Sequence, residues 1–529
     1  MILRDLADGL RFLRRLPSLF RTRLDADAAL ATVRQHLATR EGDFLALLRA
    51  VVFSNPMQPV HRLLARAGCA YGDVEQLVHR EGLEGALLVL FRAGVYFSAD
   101  ELAGRVPVVR GSDRFTVTLA DFRNPSARGY LSMRSSGTRS GAPGMMALDL
   151  DALTEQYPSY RAAYAAAGFD CRTTALWNVP GTTGITSSIR NVVLFGRPFV
   201  RWFSPVNLDD AAAPRAHRWM IRAVQAVAAT QGVRFARPEF VSPAAPQPIL
   251  DWITATRRAG QQPMLILYPT SAVRLAEAAA AAGVDLDGMA LLLLGEPVTA
   301  ARVEAVRRAG AVVWTLYGAI EIGTVGQGCL HPQAVDETHV YEDLHALLQP
   351  GPDAAASGLP AAALLVTPLR PHSRLVTVNA SLGDQAILSR RDCGCPLQAV
   401  GWQTHIGEIH SFEKLTGMGM TFAAAEITPV LEQVLPARFG GTATDYQLVE
   451  EEGGGGAVRL RLIVHPRLGA LDDAAVIDTF LSGLAQVSPT RRLMTLTWRS
   501  GGIVQVDRSP PLASPSGKIM HFRRTARRD

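Results

Sequence analysis

Lysine is almost missing from this chain: of 54 basic residues only Lys414 and Lys518 are lysines, and every other positive charge is an arginine. A compact ammonium on a flexible stem and a broad planar guanidinium are not interchangeable where phosphoryl or carboxylate groups react. A chain that writes positive charge as Arg keeps Lys mainly where a guanidinium will not serve, so both lysines become candidates for chemistry. Cysteine is scarce too, at five in 529 residues. No apolar run is long enough to span a bilayer, which excludes a transmembrane helix, and charges interrupt any apolar stretch near the N-terminus, which argues against a secretion signal. A cytoplasmic location is therefore expected, and there the cysteines need a reason other than disulfides. The net charge is +6, yet the arginines are dispersed and no aromatic-interleaved basic stretch occurs, so nucleic acid is not the expected partner. A positive field of this size suits small polyanions.

What is present indicates a large soluble protein. A chain of 529 residues exceeds what one hydrophobic core organises, and its 48% hydrophobic and 19% charged residues are those of a foldable globular chain. Leu3, Leu6, Leu10 and Leu13 recur at helical spacing among Arg4, Arg11, Arg14 and Arg15. They predict an amphipathic helix over 1–24, docked on its own domain or lying on a membrane surface. Residues 28–110 read as a helical cap broken at Asn55-Pro56 and at Arg105-Val106-Pro107. Beyond Ser135, short apolar runs at 264–268, 290–294 and 311–316 alternate with Ala-rich helices at 271–282 and 300–309. This alternation predicts an α/β domain with a mostly parallel sheet. After Gly407 the pattern changes to helices at 423–434 and 474–484 and strands at 446–451 and 458–465, a small α+β domain. The expected division is a large domain over 1–406, with its cap over 1–110, and a small one over 407–529.

Four segments carry chemical signals. Ser135-Ser136-Gly137-Thr138-Arg139-Ser140-Gly141-Ala142-Pro143 follows a strand end, and small hydroxyl residues interleaved with glycine can cradle phosphates through backbone N–H groups. It is not a Walker loop, because no Gly-Lys-Ser/Thr closes it. Gly295-Glu296-Pro297, Tyr317-Gly318-Ala319-Ile320-Glu321 and Gly383-Asp384 each end a strand, where open α/β sheets bind ligands. An aromatic beside a glycine can sandwich a planar base, Glu321 can hold a metal ion on phosphate oxygens, and Asp384 can accept both hydroxyls of a ribose.

This set, in this order, resembles the adenylate-forming acyl- and aryl-CoA synthetase superfamily, most of all its phenylacetate coenzyme A ligase-like branch, over about Asn55 to Ile519. The resemblance implies a large AMP-binding domain and a small mobile C-terminal domain that together use ATP and Mg²⁺ to turn a carboxylic acid into an acyl-adenylate, then pass the acyl group to coenzyme A or an acyl carrier protein. It implies that 135–143 binds phosphates, that Gly295, Glu296, Pro297, Tyr317 and Gly318 hold adenine, that Glu321 binds Mg²⁺ and that Asp384 binds ribose. Lys518, in Ser514-Pro515-Ser516-Gly517-Lys518-Ile519, resembles the lysine that bridges the acid and the α-phosphate, where a positioned ammonium lowers the barrier electrostatically. Lys414 falls in 407–420, similar to the hinge and the loop that serves the second step. The acid-binding wall falls at 177–187 and 202–206, with Trp177, Gly184, Trp202, Tyr268 and Ala319 as its candidates; the three aromatics fit core positions equally well. A homodimer stays open.

The pattern has departures. The phosphate loop is one residue longer than usual, with Arg139 and Ser140 where Thr-Gly is common, and Ile320 stands where a phosphate-bonding hydroxyl is usual. Glu408 replaces an arginine, while His410 and Ser411 replace hinge acids. These changes keep two further readings in play, a relative that binds nucleotide or acyl ligand without turnover and an adenylating enzyme with an amine acceptor. A separate signal comes from Cys393-Gly394-Cys395, whose thiolates can share one soft cation. With Cys329 and His339 they make a Cys₃His zinc set, His331 being the rival fourth ligand, and some members of the branch carry such a cluster. Cys69 and Cys171 read as core thiols.

Overall fold

The apolar runs and intervening helices build one large sheet in a computed structural model, which describes residues 2–126, 129–134, 145–208, 215–411, 414–417, 420–452, 458–486, 495, 498–499, 503–513 and 518–525. Among these residues twelve strands join. They are β1 (Thr173–Trp177), β2 (Trp202–Ser204), β3 (Pro238–Phe240), β4 (Pro263–Leu267), β5 (Ala290–Leu294), β6 (Val312–Ala319), β7 (Gly323–Gly328), β8 (Thr338–Val340), β9 (His345–Leu348), β10 (Ala363–Pro368), β11 (Ala380–Arg390) and β12 (Thr404–Ser411). Their order is β9-β10-β11-β12-β8-β7-β6-β5-β4-β1-β2-β3.

The half from β6 to β3 is parallel throughout. Helices such as Thr182–Phe195, Pro269–Ala282 and Ala300–Arg308 supply the crossovers that parallel pairing requires. Pro269–Ala282 shows why the sequence folds so: proline starts the first turn, and Gly283 at φ +65° ends the helix in the left-handed conformation. The other half is antiparallel. The expectation of a mostly parallel sheet thus holds for one half only, because β6 and β7 are joined by a turn too short for a crossover and among the described residues the strands beyond it are separated by turns and short 3-10 helices, with no α-helix between them.

The N-terminal cap comprises the helices Ile2–Arg21, Ala26–Leu47, Pro59–Arg66 and Tyr71–Arg92. Phe12, Leu16 and Phe20 pack in one core with Ile185, Ile189 and Val192 of helix Thr182–Phe195, so the first helix is docked on its own domain, although Leu10 stays exposed. Among the described residues no helix is long and apolar enough to cross a membrane.

Strand β12 runs through Gly407 and stays paired with β11 as far as Ser411, so the expected division at 406/407 falls inside a strand of the large sheet. The hairpin Lys414–Gly417/Met420–Ala423 follows, and then a four-stranded sheet ordered Val504–Asp507, Val458–Val464, Tyr446–Glu452, Phe522–Thr525. Helix Asp473–Ala485, N-capped by Asp472, covers a separate core that includes Leu448, Leu460, Phe480 and Trp498.

Candidate active site

Parallel pairing of β4, β5 and β6 sets their carboxyl ends side by side, and the candidate residues follow those ends. Gly295, next after β5, has φ +76°. A Cβ built on it would lie 2.9 Å from Lys518 Nζ and 3.3 Å from Tyr268 Cε1, so the missing side chain leaves the space in which the ammonium sits. Lys518 Nζ is also 5.0 Å from the centre of the Tyr268 ring, within cation–π range. Burial pushes the Lys518 ammonium below its usual pKa, against the opposing pull of the Glu296 carboxylate.

Tyr268 donates its hydroxyl to Asn178 Oδ1, and the Asn178 carbonyl accepts Trp202 Nε1–H at 3.1 Å. Gly184 lies flat against that indole: a Cβ there would meet Trp202 Cζ2 at 2.0 Å. Gly184, Trp202 and Tyr268 therefore converge through Asn178. Trp177 does not join them; it is buried on the opposite face of the sheet with Phe203, Leu250 and Leu275.

On β6, Tyr317 donates its hydroxyl to Asp384 Oδ2 at 2.9 Å, bringing the expected adenine and ribose residues together. The β6–β7 pairing shifts register between Tyr317 and Gly318, where the Gly323 carbonyl would stand 2.4 Å from a Cβ on Gly318; a side chain there would push the turn apart. Glu321 sits in this turn, partly exposed, and its carboxylate makes no hydrogen bond or ion pair with the described residues. Arg374 donates to the Ile320 carbonyl at 2.7 Å and places its charge beside Glu321. Ala319 is half-buried against Ile322 and Val325. Glu296 is 8% exposed. Its carboxylate accepts the Thr270 N–H at 2.9 Å, the Thr270 hydroxyl at 2.6 Å and the Ile519 N–H at 3.0 Å. Ser135, Ser136, Gly137, Thr138, Ser140 and Gly141 lie outside the described residues, and of Lys414 only the backbone strand is described.

A second cluster forms where β7, β8 and the segment after β11 meet. Cys329 Sγ lies 3.9 Å from Cys395 Sγ, and His339 Nε2 lies 3.1 Å from Cys395 Sγ and 3.5 Å from Cys393 Sγ. Sulfur and nitrogen atoms around one tetrahedral zinc ion stand at about these separations, given bond lengths of about 2.3 and 2.0 Å. The His339 ring is turned by its other nitrogen, 3.0 Å from the Trp402 carbonyl, which leaves Nε2 for the cation. The Cys329 thiol, and after it the His339 contact, favour the Cys395 thiolate against the cost of burial, while the hydrogen bond to Cys395 holds the Cys329 thiol high. His331 is exposed, its Nδ1 3.1 Å from the Cys393 carbonyl. The unexpected neighbour is His405: it pairs with His339 across β8 and β12, the rings stand 4.1 Å apart, and its buried Nε2 has no hydrogen-bond partner among the described residues. The ligand atoms of Cys329, His339, Cys393 and His405 all lie within 4.8 Å of one another. That grouping omits Cys395; its two short contacts nevertheless make Cys395 the better fourth donor, with His405 as a fifth within reach.

No protein-family model matches the chain, and no curated protein matches it by sequence. Solved structures do. A 2-hydroxyisobutyryl-CoA ligase in the postadenylation state, in complex with 2-HIB-AMP, superposes with a TM-score of 0.51 at 14% identity, covering 95% of this chain and 90% of that one. The same ligase with R3-HIB-AMP reaches 0.47 at 14% identity, covering 93% and 89%. An anthranilate CoA ligase in complex with anthranoyl-AMP reaches 0.43 at 11%, covering 74% and 65%. The chain has the adenylate-forming fold. The assignment rests on the first of these structures.

Within the adenylate-forming fold, four residues of the site escaped the sequence reading: Asn178, Arg302, Arg374 and His405. Each is polar and at least nine-tenths buried. Arg302 and Arg374 are hidden among many arginines, and His405 shows itself only once the strands that hold it and His339 are paired.

Proposed function

We propose that this chain activates a carboxylic acid with ATP and magnesium as an acyl-adenylate and then passes the acyl group to a thiol, of coenzyme A or of a carrier protein. The observation that carries the reading is the seat of Lys518, brought from the C-terminal domain to the strand ends beside Gly295 and Tyr268. A carboxylate oxygen of the acid attacks the α-phosphorus, and the bond to pyrophosphate breaks. The Lys518 ammonium stabilises the charge gathering between them. Tyr317, Gly318 and the 295–297 backbone hold the adenine, and Asp384, oriented by Tyr317, takes the ribose. The 135–143 loop takes the phosphates, and Gly184, Trp202, Tyr268 and Ala319 line the acid's path. Glu321 would hold the magnesium ion, which neutralises charge on the phosphate oxygens; its carboxylate, without a hydrogen bond among the described residues, fits that task.

In the second step the thiol attacks the acyl carbon, AMP leaves and the thiol proton goes to solvent. The C-terminal domain turns between the steps to bring the segment around Lys414 inward. The hinge lies near Glu408, a non-glycine residue held at φ +53° by the Asp336 carboxylate, which accepts the N–H groups of Glu408 and Ile409 at 2.8 and 2.6 Å. Zinc, held by Cys329, His339, Cys393 and Cys395, serves structure. 2-Hydroxyisobutyryl-CoA ligase, with which the chain shares its fold, is consistent with a coenzyme A acceptor.

The test is acid-dependent exchange of labelled pyrophosphate into ATP across a broad panel of carboxylic acids. Exchange with any acid supports the reading. Its absence across the panel leaves a nucleotide- or acyl-binding protein without turnover, the reading that Ile320 favours because it offers no hydroxyl to the phosphate. Product analysis with thiol and amine acceptors then identifies the second substrate.

A further inference from the structure

Lys518 does not enter the cleft unaccompanied. Arg302 belongs to helix Ala300–Arg308 of the large domain and is 0% exposed. Its guanidinium stands between two carboxylates, with Nη1 3.3 Å from Glu296 Oε2 and Nε 3.1 Å from Glu432 Oε1. Glu296 follows β5, whereas Glu432 lies in Val430–Val434 of the C-terminal domain. Glu432 Oε1 is also 2.6 Å from His521 Nε2, an ion-pair distance without the direction of a hydrogen bond. Burial raises the Glu432 carboxyl, but His521 and Arg302 outweigh it and hold the group below its ordinary pKa.

The same two large-domain side chains clasp the peptide next to the lysine. Glu296 Oε1 accepts the Ile519 N–H at 3.0 Å, and Arg302 Nη2 lies 3.5 Å from the Ile519 carbonyl. A fully buried guanidinium or carboxylate is costly when unpaired. In this arrangement the charges satisfy one another across the domain boundary. Rotation of the C-terminal domain would take Glu432, Ile519 and His521 away together, and water would have to replace them around Arg302 and Glu296. The network therefore belongs to the arrangement that has Lys518 in the cleft and to no other.

We propose that Arg302, Glu296 and Glu432 are positioning residues for adenylation: a buried charge latch that recognises the Ile519 peptide, sets the Lys518 ammonium against the reacting groups and is released for thiol transfer. This rests on the function proposed above. It also gives Glu296 a task beyond the adenine motif, since its carboxylate faces the C-terminal domain.

The test compares the two half-reactions in Glu432→Gln, which keeps shape and removes charge. Pyrophosphate exchange should fall about 10- to 100-fold in kcat with the KM for ATP little changed, the effect expected when a catalytic group is slightly misplaced. Thiol transfer from chemically supplied acyl-adenylate should hold or quicken. A merely structural role would depress both half-reactions together, and that outcome, or wild-type exchange, would overturn the proposal. Lys518→Ala run alongside separates the two ideas: if it slows exchange while Glu432→Gln leaves the wild-type rate, the latch fails and the function stands; if neither variant slows exchange, the function reading of Lys518 fails. Small-angle scattering gives a readout that needs no substrate acid. Glu432→Gln should be more extended than wild type in ATP, and superimposable profiles would refute the latch.

Discussion

Gly295 and Lys518 explain one another at the residue scale. The strand end needs a residue at φ +76°, and the ammonium needs the volume a Cβ would take; glycine meets both demands. An ammonium is a compact point charge, whereas a guanidinium is a broad planar fork that would have to fit between Gly295 and Tyr268. Lys518→Ala should therefore slow pyrophosphate exchange by about two to four orders of magnitude, the usual effect of removing one preorganised electrostatic group. ATP binding should change little. Arg at 518 should fail to rescue, although the chain uses arginine nearly everywhere else. Exchange kinetics and equilibrium ATP binding on the two variants check this, and wild-type exchange in Lys518→Ala would remove Lys518 from the chemistry. The lysine was legible because composition isolates it. Its partner Arg302 was not, since nothing in the sequence separates a fully buried arginine from the many exposed ones.

At the scale of elements, the cysteine–histidine cluster proposed to hold zinc depends on strand pairing. Cys329 follows β7, His339 lies in β8, and Cys393 and Cys395 follow β11, so the antiparallel half of the sheet brings together donors far apart in the chain. Because thiolates hold zinc more firmly than an open site does, Cys395→Ser should lose metal and melt at a lower temperature. His405→Ala should keep one zinc per chain if Cys395 is the fourth donor. Elemental analysis and thermal unfolding of both variants decide the matter, and metal lost from His405→Ala but kept in Cys395→Ser would exchange their roles. The Cys-x-Cys pair was readable in sequence. His405 was not, because its proximity to His339 is a matter of register, which no local pattern states. The same holds for the sheet: Ala-rich helices between β4, β5 and β6 announced parallel pairing, while the antiparallel half had only short strands and turns to speak for it.

For the molecule as a whole, buried acids link stability to pH. Burial lifts the Glu155 carboxyl to about 7, despite Arg370 nearby and the His372 N–H it accepts, and lifts Asp343 to about 6. Between their unfolded and folded values both groups hold more proton in the folded chain, so their contribution is full below about pH 4 and is lost as pH rises towards 7. His345, pushed down by burial to about 4, works in the opposite sense, gaining stability as pH rises from 4 to its unfolded value. Glu155→Gln should flatten the loss of melting temperature between pH 5 and pH 8. At the upper end this is on the order of 2 kcal/mol, discounted for the group's partial exposure. Melting curves of both proteins at the two pH values test this; an equal loss in the variant would clear Glu155 of the effect.

By itself the sequence determined which segments make helices and strands and that a large α/β part precedes a small α+β part, and it singled out the short motifs at the strand ends. Those are local matters, written in periodicity, glycine placement and the rarity of lysine. Tertiary structure alone decided that β12 carries the large sheet to Ser411, that Trp177 turns away from Trp202, that His405 joins the cysteines and that Arg302 stands between Glu296 and Glu432 beside the Ile519 peptide. Each of these depends on register, on the face of a sheet or on the pairing of buried charges between segments distant in sequence. Such contacts are set by the energy of the assembled whole, where one strand's slip or one unpaired ion outweighs any local preference.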